Sequence, residues 1–429
     1  MNATGHRSVA ATAIVPLMLI TSLFFMWGVA NNLNDILITQ FKKAFILSDF
    51  QAGLVQSAFY LGYFLFAIPA GLFMQRFGYK AAVVLGLAGY AAGALLFWPA
   101  ASARSYAFFL TALFVIASGL AFLETSANPL ITVLGPPEGA ERRLNLAQAF
   151  NPLGSIAGVV MGQWFILSGV EHDAGSLSAL DPAARQAYLA AEAEAVRLPY
   201  LVIGLVVAAW AVLVALTRFP AAAEAADQGE ESRGTLRLAL ADPTLRFAVV
   251  AQFLYVGAQV GVWSYLIRYA QGTVDGMGER VAANYLTAAL VAFMLGRFAG
   301  AALMRFLPPS RVLATFAAAN VLLCGTAVAF PGETGLVALV AASFFMSVMF
   351  PTIFAVGIRN LGPARKIGSS LIVMAIIGGA VLTALMGAVS DAAGIAVAYA
   401  VPAACFLVIL LFALATATDR RTRFATAEA

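Results

Sequence analysis

The chain has 429 residues, of which 62% are hydrophobic and only 11% are charged, and its mean hydropathy is +0.89. An ordinary soluble domain carries about 25% charged residues, so most of this chain does not face water. The composition argues against a soluble enzyme and excludes a disordered tail, a nucleic-acid binder and a disulfide-stapled secreted domain. At roughly 20 apolar residues per bilayer crossing, the chain has room for about twelve transmembrane helices.

Hydropathy along the chain predicts twelve spans in an all-α integral membrane protein. They lie near residues 13–40, 50–74, 81–100, 106–134, 144–169, 198–217, 246–270, 282–305, 311–331, 334–358, 367–390 and 394–417. The sixth and seventh spans are separated by the longest polar loop on the predicted cytoplasmic side. We therefore predict an N-terminal six-helix bundle at 1–217, a cytoplasmic central loop at 218–243, and a C-terminal six-helix bundle with a short cytoplasmic tail at 244–429.

The distribution of cationic residues predicts the orientation. Placing the N-terminus in the cytoplasm puts most of the 25 Lys and Arg residues on the cytoplasmic side, where cationic loops are retained. The prediction is a multi-pass protein of the bacterial inner membrane with both termini in the cytoplasm.

An internal repeat supports the division into six plus six spans. The segment 70–77, which ends the second span, is echoed by 299–306 at the end of the eighth, and each has a Gly followed five residues later by Arg76 or Arg305. Parallel repeats are typical of rocking transporters, and the pattern resembles the major facilitator superfamily, although Gln75 stands where that family often has Asp. The two arginines are predicted as gating or structural charges. Alternatively, the glycines serve helix packing and the arginines follow the charge rule.

Three ionisable residues lie clearly within the predicted spans: Asp35, Glu124 and Arg297. A charge at the centre of a span costs at least about 2.5–3.5 kcal/mol, so each is a functional candidate. Both histidines, His6 and His172, lie outside the spans, so a carboxylate must carry any transported proton. Two structural alternatives stay open: Asp35 as a helix-end charge at the outer interface, and a static pair of Glu124 with Arg297.

Polar stripes accompany these charges. Trp27 and Asp35 fall two helical repeats apart, and Asn31 and Asn32 lie between them, so the four line one stripe of the first span. Other stripes contain Asn128 in the fourth span, Asn145, Gln148 and Asn151 in the fifth, and Gln252, Tyr255, Gln259 and Trp263 in the seventh. Amides match hydroxyl groups and aromatic rings pack on the C–H face of a sugar, although such stripes also serve hydrogen bonds between helices. With one buried cation, they indicate a neutral polyhydroxylated ligand.

Longer motifs are spread over both halves of the chain, from about residue 15 to residue 410, in segments 24–37, 124–129, 143–148, 263–270, 283–287, 351–354 and 357–362. These motifs resemble the bacterial fucose permease family, which includes fucose, galactose and glucose symporters. The resemblance implies an inner-membrane sugar and proton symporter of the major facilitator superfamily.

The resemblance also implies roles for single residues. Asp35 and Glu124 match the acids tied to proton coupling, and the amides and aromatic residues carried over to sugar binding are Asn32, Gln148, Asn151, Trp27 and Trp263. Phe350 departs from the family pattern, because a Tyr is expected before the Pro-Thr-Ile-Phe run, and this leaves the identity of the sugar open.

The sequence thus predicts a symporter that imports L-fucose or a close stereochemical relative with protons by alternating access. We predict a monomer in the lipid bilayer with no nucleic-acid partner, no cofactor and no metal, and no enzymatic activity, since the sequence has no phosphate-binding loop, metal-ligand cluster or catalytic triad histidine. The alternatives are a glucose or galactose proton symporter, a proton-driven exporter of hydrophobic compounds, and a membrane sensor.

Overall fold

The computed structural model describes residues 3–47, 49–166, 177, 179–219 and 234–427, and these residues form helices joined by short connections. The helices are α1 (Ala3–Phe45), α2 (Asp49–Ala103), α3 (Tyr106–Val133), α4 (Ala140–Gln148), α5 (Phe150–Phe165), α6 (Pro182–Glu194), α7 (Arg197–Leu216), α8 (Leu236–Ala241), α9 (Pro243–Ser264), α10 (Leu266–Thr273), α11 (Glu279–Leu303), α12 (Pro309–Ala329), α13 (Glu333–Met346), α14 (Met349–Ile358), α15 (Arg365–Met374), α16 (Gly378–Ala393), α17 (Ile395–Ala398) and α18 (Ala400–Ala427).

Within the described residues, ten helical stretches are long and apolar enough to cross a membrane. One of them, Leu54–Ala103, is 50 residues long and includes Gly78, whose φ of 85° interrupts the helix, so it holds the predicted second and third spans. The predicted fifth span corresponds to α5, whose 16 residues fall below the length that the other stretches reach. The twelve predicted spans therefore each have a helical counterpart in the structure.

The outer surfaces of these helices are apolar. Large aliphatic side chains such as Leu72, Leu205 and Leu322 are more than half exposed. A protein in water would bury them, whereas a hydrocarbon environment accepts them and requires the backbone to bond within each helix. The surface thus matches a protein embedded in a bilayer.

The chain forms two compact units. Unit 1 comprises Met1–Ser126 and Leu153–Pro220, and unit 2 comprises Ala127–Pro152 and Ala221–Ala429. The segment Ala127–Pro152, which includes α4, joins unit 2 because α4 packs against α11 and α14. The predicted bundle limits stay a prediction, and residues 220–233 of the predicted central loop lie outside the described residues.

Two glycines bring functional helices close together. In unit 1, a Cβ on Gly62 would stand 2.7 Å from the Ala117 Cβ and 3.0 Å from the Phe114 carbonyl oxygen, so α2 approaches α3 only because position 62 is glycine. In unit 2, a Cβ on Gly296 of α11 would collide with the Phe344 carbonyl of α13. The close approach at Gly62 positions the next residue, Tyr63. The close approach at Gly296 likewise positions Arg297.

Candidate functional site

In unit 1, a chain of hydrogen bonds links α1, α2 and α3. The Nε1 of Trp27 donates to the Oη of Tyr63 over 2.7 Å, and the Tyr63 hydroxyl hydrogen-bonds the Glu124 carboxyl. Trp27 also stacks on Phe24, with ring centroids 5.4 Å apart. The structure therefore connects two of the predicted site residues, Trp27 and Glu124, through a tyrosine that lies between them.

Glu124 is buried in α3 and only 6% exposed. Moving a charged carboxylate out of water is costly unless hydrogen bonds or opposite charges compensate it. Binding a proton removes this charge, so a buried carboxyl of this kind changes the energy of its surroundings when it is protonated. This is the property required of a proton-coupling group.

The Asn-rich run lies in α1, in the same unit. Asn32 is half-buried and its Nδ2 donates to the Gly28 carbonyl oxygen over 3.3 Å, while Asn34 donates to Gln56 over 3.1 Å. The buried Oδ1 of Asn31 accepts no hydrogen bond from the described residues. The backbone of Asp35 lies in α1, and its side chain lies outside the described part of the structure.

In unit 2, Gln148 connects two further predicted residues. Its Nε2 donates to the Asn128 Oδ1 over 2.9 Å, and its Oε1 accepts from a guanidinium nitrogen of Arg297 over 3.1 Å. The same nitrogen of Arg297 donates to the Gln148 backbone carbonyl over 3.3 Å. All three side chains are buried, so these bonds form away from water. The Gln148 amide is therefore oriented by its two neighbours.

Aromatic residues extend this group. The Arg297 guanidinium lies 4.8 Å from the centre of the Phe293 ring, which meets Trp263 edge-on at 5.0 Å. The Nε1 of Trp263 donates to the Ser343 hydroxyl over 3.1 Å, which fixes the orientation of the indole. Asn128, Gln148, Arg297 and Trp263 thus belong to one connected polar and aromatic cluster.

The other polar residues of α9 differ in role. Tyr255 is fully buried, donates its hydroxyl to the Met346 carbonyl oxygen over 3.1 Å, and meets the Phe350 ring at 6.3 Å. Gln252 is also fully buried, but neither amide atom forms a hydrogen bond with the described residues. Gln259 is half-buried on α9, as Asn151 is on α5. Tyr255 therefore serves helix packing, the structural alternative considered for these stripes.

A separate group of bonds ties α4 to α14. The Asn145 Nδ2 donates to the Thr352 hydroxyl over 3.1 Å, and the buried Glu141 carboxylate forms an ion pair with Arg359. Asn145 accordingly has a helix-joining role. The two repeat arginines, Arg76 and Arg305, are exposed, and their predicted gating role stays a prediction.

Residue-level reasoning missed three side chains of these clusters: Tyr63, Phe293 and Ser343. Glu124 and Arg297 were predicted because a charge within a span is costly. Neutral side chains carry no such cost, so the sequence does not single them out. The glycine beside Tyr63 is a weak local indication of a close helix contact, but it does not identify the partner.

The chain is similar in sequence to known membrane transporters. Residues 17–376 match the family model of the Major Facilitator Superfamily, and the chain belongs to this family. It is 51% identical over 406 residues to the L-fucose-proton symporter of Escherichia coli, covering 93% of this chain and 92% of that protein. It is 39% identical to the glucose/galactose transporter of Brucella abortus, covering 92% of each.

A solved structure agrees with these relatives. The crystal structure of the transporter FucP in the outward conformation matches with a TM-score of 0.86 and 48% sequence identity, covering 94% of this chain and 99% of that one. The predicted fold class and the resemblance to fucose symporters are confirmed. The roles of the individual site residues stay predictions.

Proposed function

We propose that this protein is a symporter that imports L-fucose together with protons. The observation that carries the proposal is the 51% identity, over 93% of the chain, to an L-fucose-proton symporter. The buried acid and the buried amide cluster support the same conclusion, because one provides a proton site and the other provides donors and acceptors for sugar hydroxyls.

The proposed mechanism is alternating access between two six-helix bundles. Protonation of Asp35 and Glu124 from the periplasm permits sugar binding, the bundles rock, and release of sugar into the cytoplasm lets the protons leave. Neutralising an acid lowers the cost of enclosing it. One proton moving down 100 mV supplies about 2.3 kcal/mol, which corresponds to a roughly fifty-fold sugar gradient.

The chemistry of the amide cluster favours a neutral sugar. Among the described residues of the helices that form this cluster, Arg297 is the one buried cation. Its Nη1 donates to the Gln148 side chain. A phosphate ester or a dicarboxylate calls for two or more cations, whereas amides, indole rings and a single oriented guanidinium match hydroxyl groups. The proposed sugar contacts are Asn32, Asn128, Gln148, Asn151, Trp27, Trp263 and Gln259.

The proposed setting is the bacterial inner membrane. Both termini are assigned to the cytoplasm on the distribution of Lys and Arg, and the protein is assigned as a monomer surrounded by lipid. Arg76 and Arg305 are assigned as gating or structural charges at the cytoplasmic ends of repeated segments, and the bundles are assigned to 1–217 and 244–429 with the loop 218–243 between them.

A second candidate substrate is glucose or galactose. It is supported by the 39% identity to the glucose/galactose transporter and by Phe350, which lacks the hydroxyl that the fucose permease pattern has at that position. Both candidates share the fold, the proton coupling and the amide cluster, and they differ in which sugar hydroxyls find partners.

External pH in de-energised cells tests the proposal. L-Fucose, D-galactose or D-glucose is added to cells that express the protein, beside cells that express the Asp35→Asn variant at an equal membrane level. We expect alkalinisation with L-fucose in the wild-type cells and none in the variant. Alkalinisation with galactose or glucose instead would select the second candidate, and silence with all three sugars would refute sugar symport for this set.

A further inference from the structure

We propose that Tyr63 is a positioning residue for proton release, holding Glu124 in the arrangement from which its proton leaves, and that Trp27 fixes the direction of the Tyr63 hydroxyl. The inference rests on the proposed function and goes beyond it, because it adds a neutral residue to the proton-coupling machinery. It is drawn from the hydrogen-bond chain that links α1, α2 and α3.

The direction of the chain follows from the donors available. An indole nitrogen can only donate, so the Tyr63 oxygen must accept the hydrogen bond from Trp27, over 2.7 Å. The single hydrogen of the Tyr63 hydroxyl is then left for Glu124. Tyr63 therefore presents a donor to the carboxyl, and it does so because Trp27 occupies one side of its oxygen.

A donor that faces a carboxyl favours the charged form, because a hydrogen bond to an ionised acceptor is stronger than one to a neutral acceptor. During the cycle the proton binds to and leaves a Glu124 oxygen, while Tyr63 keeps its own proton throughout. Its bond strengthens as Glu124 becomes an anion. Tyr63 thus offsets part of the cost of leaving a carboxylate in a buried position.

The surroundings make this bond important. The titratable side chains that face Tyr63 in unit 1 are Glu124 on α3, and Tyr60 and Tyr90 on α2. Tyr63 and Tyr90 are almost completely buried. None of these described groups is a cation.

Tyr90 provides a matched control. It is a buried tyrosine of the same unit, beyond Gly78 in α2, and its hydroxyl contacts the Met26 carbonyl oxygen at 3.3 Å, outside the chain from Trp27 to Glu124. Tyr90→Phe therefore removes a buried hydroxyl from the same unit and leaves the Glu124 chain intact.

The test measures sugar affinity of the purified full-length protein as a function of pH by isothermal titration calorimetry, with L-fucose, D-galactose and D-glucose as probes. Protonated Glu124 is the sugar-binding form in the proposed function, so affinity falls as pH rises past a midpoint. In Tyr63→Phe the carboxylate loses its donor, Glu124 keeps its proton to higher pH, and the midpoint rises by about one pH unit. Tyr90→Phe keeps the wild-type midpoint.

Trp27→Phe gives a second measurement. Without the indole donor, the Tyr63 oxygen is free to accept from protonated Glu124, which also favours the protonated form, so the midpoint shifts in the same direction by a smaller amount. Trp27 is a proposed sugar contact, so this variant also weakens binding at low pH. The midpoint, and not the affinity itself, reports the inferred role.

The outcomes separate the two proposals. A wild-type midpoint in Tyr63→Phe, with low-pH affinity retained, overturns the inference and leaves the proposed function standing. Should Tyr63→Phe not fold, an unshifted midpoint in Trp27→Phe overturns it equally. A shifted or lost midpoint in Glu124→Gln is required by the proposed function, in which Asp35 is the second acid. Failure of the wild-type protein to bind any of the three sugars overturns both.

Discussion

The Oε1 atom of Gln148 lies 3.1 Å from a guanidinium nitrogen of Arg297, and both side chains are buried in unit 2. Gln148 uses its other amide atom to donate to Asn128 over 2.9 Å. An amide that is free to turn offers its oxygen or its nitrogen to a ligand, whereas this one is fixed in one orientation. In the proposed function, the guanidinium therefore acts on the sugar through the amide that it orients.

Replacing Gln148 should weaken sugar binding, and its effect should depend on whether Arg297 is present. Gln148→Ala removes the amide that is proposed to bond sugar hydroxyls, and a neutral hydrogen bond contributes about 0.5–1.5 kcal/mol, so we expect apparent affinity for the transported sugar to fall about 2–10-fold. Because Arg297 acts through Gln148, the double variant with Arg297→Ala should be little worse than the worse single variant. Apparent KM for uptake in the four members of the cycle measures the coupling. Strictly additive losses would show that the two residues act independently.

Phe350→Tyr should change the choice between sugars. Phe350 is half-buried beside Tyr255, and the substitution adds a hydroxyl where the family pattern has one. A new hydrogen bond contributes about 0.5–1.5 kcal/mol, so we expect the affinity for L-fucose relative to D-galactose to rise about 2–10-fold. Competition between the two sugars in an uptake assay measures this ratio. Phe345→Tyr, which adds a hydroxyl to a half-buried ring of α13, serves as the control, and an equal change in both variants would contradict the prediction.

The ion pair of Glu141 with Arg359 should stabilise unit 2. Glu141 is almost completely buried while Arg359 is 30% exposed, so Arg359→Ala removes a positively charged partner from a buried carboxylate. Removing one partner of a fully buried pair costs about 3–5 kcal/mol, and the exposure of Arg359 reduces this to about 1–3 kcal/mol. Thermal unfolding in detergent checks the loss. Glu141→Gln in the Arg359→Ala background removes the negative charge of the buried carboxylate and should recover part of the stability; no recovery would rule out this electrostatic explanation.

The membrane architecture was predictable because its physical cause is local. Each crossing must satisfy its own backbone within an apolar helix, so a window of hydropathy locates it without knowledge of its neighbours. Glu124 and Arg297 were found for a similar reason, since a charge in a span is conspicuous in any context. One helix is longer than predicted, since α1 begins at Ala3 and ends at Phe45. Gly78 interrupts α2 between the predicted second and third spans.

The partners of these charges were not predictable. Tyr63 and Glu124 are 61 positions apart, and Gln148 and Arg297 are 149 apart. Whether two such residues meet depends on which helix faces turn toward each other, and Gly62 and Gly296 contribute to this through close packing that hydropathy does not describe. For the same reason the sequence did not predict the partner of Asn145. The amide stripe placed Asn145 beside Gln148, but its side chain donates to Thr352.

Arg143 bonds the end of α3, which the distribution of Lys and Arg predicts only to be cytoplasmic. Arg143 donates from Nε to the Ile131 carbonyl over 3.1 Å, and from its two terminal nitrogens to Thr132 over 2.7 Å and Pro136 over 2.8 Å. It therefore caps the carbonyls that a helix leaves without partners at its C-terminus. Partial burial lowers the pKa of the Arg143 guanidinium, which nevertheless stays charged at neutral pH.

Arg143→Lys should accordingly destabilise the protein although it keeps the charge. A lysine ammonium has no planar fork and cannot serve three carbonyls in this arrangement, so at least one is left unbonded, at a cost of about 1–3 kcal/mol. Arg142→Lys is the matched control, since Arg142 is the neighbouring residue on α4 and is exposed. Thermal unfolding of the two variants in the same detergent makes the comparison. A lower melting temperature in Arg143→Lys alone supports the capping role, and equal values for both variants would show that Arg143 contributes only its charge.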